Sequence, residues 1–209
     1  MVFVCLTASV QLIACSESST PDSETSATNV EELAVPDSIR QELVRLGGED
    51  QSLRQGLTPE KMQDTLLLQE MLRGDSVRTA RLQYIIQEYG WPDSSRVGSE
   101  AASAAFLILQ HSPNHEFQKK MMPVVERLAE RGDVPRDDAA MLIDRVLMHD
   151  SLPQRYGTQF QMVDGRLVLY EVQDEVLLEE RRKSMGLLPL EEYMRLMEDL
   201  YKTPVVRTP

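Results

Sequence analysis

Residues 97–110 read VGSEAASAAFLILQ, a run that is small in its first half and bulky and apolar in its second. The alanines at 101, 102, 104 and 105 leave room for neighbouring backbones to approach closely. A helix that is apolar nearly all round belongs in the interior of a protein. The run therefore predicts a buried helix at the centre of a helical domain.

Further helices are predicted on both sides of this run, because apolar residues recur there at helical spacing. A first helix over 38–46 is expected to stop or pause at Gly47-Gly48 and to resume over 49–56. The next helices are expected over 58–72, starting at Thr58-Pro59, and over 76–88, with Asp75 as cap. A helix over 115–131 should bend or break at Pro123, and Pro135 should open another helix. The last two expected helices span 175–185 and 190–201.

Two short β-prone runs, 158–163 and 166–170, flank Asp164-Gly165. An Asp-Gly pair between such runs is a strong signal for a hairpin turn. The predicted fold is therefore mainly α: a single helical domain with one small β-hairpin near the C-terminal third.

The amino terminus predicts a location. Residues 2–14 carry no charge and are too short to span a bilayer as a helix, which takes ~20 residues. They have the length of a secretory signal, and Leu12-Ile13-Ala14-Cys15 resembles the lipobox of bacterial lipoproteins, in which the cysteine is lipidated. The segment lacks the usual Lys or Arg, so the alternative is an uncleaved apolar terminus in which Cys5 and Cys15 are incidental.

The predicted organisation is a signal peptide over 1–14, a lipidated Cys15 with an acidic tether over 15–37, and a helical domain over 38–209. Residues 16–37 contain no Lys, Arg or aromatic residue, a composition typical of disorder. By resemblance to other lipoproteins, Ser16 after the cysteine favours the outer membrane, with the domain facing the periplasm. The protein is therefore expected to associate with the membrane through the lipid on Cys15.

Charge and cysteine content exclude several function classes. The net charge of −12 argues against nucleic acid and against anionic headgroups as partners. No cysteine remains in the domain after residue 15, which excludes disulfides, thiolate catalysis and Cys-ligated zinc there. No metal site is expected either, because Pro113 separates His111 from His115 and no metal motif is present. Nor is there a nucleophile or phosphate-loop motif, and we expect no cofactor.

Polar residues beside apolar runs form the candidate site, because such groups must find partners or ligands. They are Gln110, His111, Asp144, Arg145, Gln154, Tyr156, Thr158 and Gln159. His111 and Asp144 are the candidate catalytic residues, with His111 as a general base oriented by Asp144, Gln154 or Gln159. The architectural alternative is a helix-terminal histidine bonded to a loop carbonyl.

Arg145 likewise allows two interpretations. It can hold a carboxylate, amide or sugar together with Gln154 and Gln159, or it can lock the 156–158 turn by donating to carbonyls. Asp144 and Arg145 point about 100° apart on a helix, so each is expected to reach a different neighbour.

An ordered set of these motifs resembles a known family. The set comprises Glu49-Asp50-Gln51 with Arg54, Gly90-Trp91-Pro92, Val97-Gly98, Gln110-His111, Phe117-Gln118, Asp144-Arg145-Val146, Gln154, Tyr156-Gly157-Thr158-Gln159, Arg181, Gly186-Leu187 and Pro189-Leu190. It resembles the uncharacterised bacterial family called domain of unknown function 6624, over nearly the whole domain. The segment 174–180 departs from the pattern by being richer in apolar residues. The resemblance implies kinship and brings no activity with it.

Two functions remain open from the sequence. The first is a lipid-anchored binding or structural module of the cell envelope, with a polar pocket for a small polar ligand or an envelope component. The second is a small envelope hydrolase that uses His111 as general base. Whether the protein is an enzyme stays undecided at this point.

Overall fold

The computed structural model describes residues 34–55, 57–58 and 61–207. This part contains eight α-helices: α1 Asp37–Arg54, α2 Thr65–Tyr89, α3 Ser94–Val97, α4 Ser99–Gln110, α5 His115–Arg131, α6 Arg136–His149, α7 Leu178–Ser184 and α8 Leu190–Tyr201. Short 3₁₀ turns span Lys61–Gln63 and Glu175–Leu177, and the strands are β1 Phe160–Val163, β2 Arg166–Leu169 and β3 Val205–Val206. The mainly α prediction is confirmed.

The predicted signal peptide and the predicted lipidation site Cys15 lie outside the described residues, as does the tether up to residue 33. No helix in the described ranges combines the length and the hydrophobicity that a membrane crossing requires.

Helix α4 lies in the larger hydrophobic core, as its sequence predicts, with Ala105 and Leu109 fully buried. Helix α1 packs against it, and the prediction that Gly47-Gly48 interrupts α1 is wrong. A Cβ at position 47 would lie 2.6 Å from the Cβ of Ala104, so the glycine permits close contact between the two helices. The packing offsets the intrinsic cost of glycine in a helix, about 1 kcal/mol.

Helix α2 corrects two further predictions. It begins at Thr65, after Asp64 caps the amides of Leu66 and Leu67, and not near residue 58. The two helices predicted over 58–72 and 76–88 are one helix, and Asp75 lies inside it. Asp75 pairs with Arg54 at 2.8 Å and with Arg78 at 2.6 Å. Asp75 therefore forms ion pairs with Arg54 of α1 and with Arg78 of its own helix, and it does not cap a helix.

Helices α5 and α6 lie close to their predicted bounds. The Asn114 side chain caps α5 by accepting from the amide of Phe117 at 3.0 Å, and Gly132 ends the helix in the left-handed region. Pro123 lies within α5 without breaking it. Helix α6 starts directly after Pro135. Its last residue, His149, lies next to His115, the first residue of α5.

The predicted hairpin is confirmed. Strands β1 and β2 are antiparallel around Asp164-Gly165, and both turn residues have positive φ, as a tight hairpin turn requires. The two-residue strand β3 adds to β2 in parallel, which the sequence analysis did not predict. A second, smaller hydrophobic core joins the sheet to α7 and α8 through residues such as Phe160, Leu178 and Leu190.

The Asp144 carboxylate attaches the start of the hairpin to α6. It accepts from the backbone amides of Arg155 at 2.7 Å, Tyr156 at 3.0 Å and Thr158 at 3.0 Å, and from the Thr158 hydroxyl at 2.9 Å. Burial raises the pKa of Asp144, and these hydrogen bonds oppose that increase. The buried Gln154 side chain closes the same turn by bonding the backbone of Gln159 and Tyr170.

Replacing Asp144 should destabilise the domain. In Asp144→Asn an amide N–H₂ group faces backbone donors, so we expect a loss of about 2–3 kcal/mol in the free energy of unfolding. Chemical denaturation followed by circular dichroism measures it. Asp137→Asn, at an exposed position on the same helix, is the matched control and should change stability by less than about 0.5 kcal/mol. Equal effects of the two substitutions would contradict the anchoring role of Asp144.

Candidate functional site

A cavity of about 430 Å³ opens where α1, α2, α4, α5, α6 and β1 meet. Its size falls in the range of small-molecule sites, ~300–1,000 Å³. All three histidines of the chain, His111, His115 and His149, line it. The remaining wall combines glutamines and arginines with apolar side chains that include Leu57, Met71, Leu72, Met148 and Phe160.

His111 is the residue directly after α4, and its Nδ1 lies 2.8 Å from Oδ2 of Asp50. Asp50 lies on α1 and is fully buried, with Arg54 at 2.8 Å and Arg78 at 3.7 Å from its other oxygen. Burial by itself raises the pKa of Asp50, but the hydrogen bond with His111 and the charges of Arg54 and Arg78 act against it, and the pKa lies below its ordinary value. Asp50 is therefore ionised.

The ionised Asp50 fixes the state of His111. Burial lowers the pKa of His111, and the nearby Arg54 and Arg145 add to that decrease against the opposing effect of Asp50. The imidazole is then neutral at neutral pH, and because the carboxylate accepts, Nδ1 carries the proton. Nε2 keeps its lone pair and makes no hydrogen bond with the described residues. A histidine oriented in this way by a carboxylate has the geometry of a general base.

Gln110 precedes His111 and is 1% exposed. Neither Oε1 nor Nε2 of its side chain has a hydrogen-bond partner among the described residues. Its backbone carbonyl is well bonded, with Gln118 donating at 3.0 Å and Arg145 donating through Nη1. A buried amide without partners costs about 1–3 kcal/mol.

His115 and His149 stand side by side, with ring centroids 4.8 Å apart. Nε2 of His115 lies 2.9 Å from Asp150, which also pairs with Lys119 at 2.8 Å. Burial lowers the pKa of His149, and the charges of His115 and Arg145 act in the same direction. Within the described ranges, no group of three or more His, Cys, Asp or Glu is arranged to hold a metal ion.

The structure divides the predicted site residues into two groups. Gln110, His111, Arg145 and Gln159 line the cavity. The other four, Asp144, Gln154, Tyr156 and Thr158, do not line it and meet in the turn that anchors the hairpin. Asp144 and Arg145 thus reach different neighbours, as predicted. Neither Asp144, Gln154 nor Gln159 orients His111, and that expectation is wrong because Asp50 occupies the position.

Sequence reasoning missed Asp50, Arg54, Asp75, Gln118 and His149 as residues at or next to the cavity. The sequence indicated Asp50 and Arg54 only through the motif Glu49-Asp50-Gln51 with Arg54, and it indicated Gln118 only through the Phe117-Gln118 pair. Their place in the same ordered pattern as Gln110-His111 was the available signal. No local pattern marks His149, which reaches the cavity because α6 ends there.

Comparison with known proteins gives kinship without an activity. No curated protein and no solved structure matches the chain. Residues 36–206 match a family described as a family of unknown function, DUF6624. The match covers α1 through β3 and so includes every element that lines the cavity. The resemblance noted from the motifs is thus confirmed, and the chain belongs to the DUF6624 family.

Proposed function

We propose that this protein is a lipid-anchored component of the bacterial cell envelope whose helical domain binds a small polar ligand in the cavity around His111. The observation that carries the proposal is the Gln110 side chain, which is buried at the cavity wall with both amide atoms unbonded among the described residues. Native proteins rarely leave such groups without a partner. Both atoms are covered in this structure, so a ligand with a donor and an acceptor would satisfy the amide after the side chain turns from the wall into the cavity.

The rest of the cavity supports binding of a ligand that has both polar and apolar parts. Glutamines 51, 55, 110, 118 and 159 line it together with Arg54 and Arg145. Small-molecule sites commonly combine a few fixed polar groups with apolar walls. Asp50 and Asp75 fix Arg54, so the polar part of the wall is held in place before a ligand arrives.

The location belongs to the same proposal. Cys15 would carry the lipid after removal of residues 1–14, and the acidic segment from residue 16 to the start of α1 at Asp37 would link it to the domain. An acylated cysteine with several chains gives stable anchoring, since each buried methylene contributes ~0.8 kcal/mol. With Ser16 after the cysteine, we place the domain at the outer membrane, facing the periplasm.

A second candidate function is a small envelope hydrolase, favoured by one specific observation. The hydrogen bond from Nδ1 of His111 to Asp50 fixes both the orientation and the tautomer of the imidazole, and Nε2 makes no hydrogen bond with the described residues. In this version His111 takes a proton from a water molecule whose oxygen attacks the bound ligand. The bond to the leaving group then breaks, and the imidazolium returns the proton to that group. The two candidates share the cavity and differ in whether the ligand leaves it unchanged.

Lipidation predicts a clear difference between the two cysteines. Cells expressing the full chain are given a fatty acid that carries an alkyne label. Cys15→Ser should abolish incorporation of the label and leave residues 1–14 attached, whereas Cys5→Ser, the matched control, should be labelled like the wild type. Label in the Cys15→Ser variant, or an unlabelled wild-type protein that retains residues 1–14, would refute the anchor.

Ligand binding predicts opposite effects of one substitution on stability and affinity. Gln110→Met has nearly the same shape and removes the unbonded amide, so we expect the free energy of unfolding to rise by about 1–3 kcal/mol. Affinity for ligands found by a thermal-shift screen of envelope fragments should fall by at least about tenfold, or ~1.4 kcal/mol. Gln41→Met, at an exposed position on α1, is the control for both measurements.

The same ligands separate the two candidate functions. Mass spectrometry after incubation shows whether a ligand is converted. A product that forms with wild type and not with His111→Gln, at comparable ligand affinity, makes the protein an enzyme. If the ligands are not converted and their affinity depends on Gln110, the protein is a binding module. Binding that is insensitive to both Gln110→Met and His111→Gln would contradict the cavity as the site.

A further inference from the structure

We propose that the ligand of this cavity is a neutral saccharide unit whose hydroxyl groups donate hydrogen bonds to Gln118, Gln159 and His111. The proposal rests on the ligand-binding function above and specifies its chemistry. It follows from the directions in which the polar side chains of the wall already point.

Gln118 has only an acceptor left. Both hydrogens of its amide are engaged, because Nε2 donates to the backbone carbonyls of Leu109 at 3.1 Å and Gln110 at 3.0 Å. A carbonyl can only accept, so the orientation of the amide is fixed by its partners. Oε1 of Gln118 makes no hydrogen bond with the described residues, and the side chain lines the cavity.

Gln159, directly before β1, shows the same arrangement. Its Nε2 donates to the carbonyl of Met141 at 3.3 Å and to Oγ1 of Thr158 at 3.1 Å. Thr158 gives its own hydroxyl hydrogen to Asp144, so Oγ1 accepts from Gln159 and the amide again cannot turn over. Oε1 of Gln159 has no partner among the described residues.

His111 supplies a third acceptor through Nε2, because Asp50 holds the proton on Nδ1. Gln51, on α1, shows the same tendency, with Nε2 donating to Asp50 at 3.0 Å. At Gln118, Gln159, Gln51 and His111 the side-chain donors bond protein acceptors, so acceptor atoms remain for a ligand. Gln110 adds one unbonded donor and one unbonded acceptor. The complementary ligand is rich in N–H or O–H donors.

Charge then decides between kinds of donor. Arg54 lines the cavity and is paired with Asp50 and Asp75 at 2.8 Å each, so these charges largely compensate one another. An ammonium or guanidinium ligand would therefore find both carboxylates already paired with Arg54. An anionic ligand would bring acceptors to the acceptor atoms of Gln118, Gln159 and His111. Neutral hydroxyl groups fit both constraints, since each donates and also accepts.

The size and the apolar wall favour a sugar among neutral polyols. A volume of about 430 Å³ suits one or two rings. Met71, Leu72 and Phe160 offer apolar surface to the C–H face of a ring. The acceptors lie on α5, on the residue directly before β1 and on the residue directly after α4. A rigid ring also presents several hydroxyls at fixed spacing, which lowers the ordering cost of binding.

The test uses the full chain and four sugars of similar shape: glucose, N-acetylglucosamine, cationic glucosamine and anionic glucuronate. Isothermal titration measures each affinity. We expect the neutral sugars to bind at least about tenfold more tightly than either charged one, a difference of ~1.4 kcal/mol. Gln159→Met should weaken binding of the neutral sugars, and exposed Gln41→Met should not.

Because Gln159 also bonds Met141 and Thr158, its substitution can disturb the fold. Deoxy derivatives of the sugar test the same contacts on the unchanged protein. Removal of at least two single hydroxyls should each cost about tenfold or more in affinity, since each leaves an acceptor unpaired. A flat response across the deoxy series would overturn the proposal.

The outcomes separate this proposal from the broader one. If neutral sugars fail while a peptide, carboxylate or amine binds in a Gln110-dependent way, the saccharide is refuted and ligand binding stands. If neither the sugars nor any envelope fragment binds at millimolar concentration, both proposals fail. Preference for neutral sugars with loss in the deoxy series supports both.

Discussion

The hydrogen bond between Asp50 and His111 is the contact on which the cavity depends. Asp50 is a fully buried charge, and removing one partner of such a group commonly costs about 3–5 kcal/mol. Arg54 extends the contact from Asp50 to Asp75 and so reaches from α1 to α2. Helices α1 and α2 and the end of α4 are therefore held around the cavity by one network of ion pairs and hydrogen bonds. The same network sets the proton position on His111.

A second polar network serves the fold. Asp144 and Gln154 hydrogen-bond the turn before β1, and neither residue lines the cavity. Their effect on the site is indirect, since the anchored turn delivers Gln159 and Phe160 to the cavity wall. Helix α6 belongs to both networks because adjacent residues point about 100° apart, with Asp144 toward the hairpin and Arg145 toward the cavity.

The sequence predicted the parts of the fold that depend on local patterns. Apolar periodicity gave α4, α5, α6 and α8, and Asp164-Gly165 gave the hairpin. It failed at Gly47-Gly48, where contact with Ala104 overrides the tendency of glycine to end helices. It also failed for α2, where Asp75 looked like a cap and instead pairs with arginines.

The site was predicted only in part for a related reason. Gln110, His111, Arg145 and Gln159 are polar residues beside apolar runs and could be found that way. The partner of His111 is 61 positions away on α1, and no spacing rule connects them. The lipid anchor at Cys15 stays a prediction from the sequence, outside the described residues.

Nitrogen-15 NMR of the three histidines tests the central contact most directly. The account predicts that His111 is neutral at neutral pH with its proton on Nδ1, and that it stays neutral below pH 6.5, the ordinary pKa of histidine. Asp50→Asn should abolish the preference for the Nδ1–H form. A proton on Nε2 of His111 in the wild-type protein, or an imidazolium already present at neutral pH, would contradict the account.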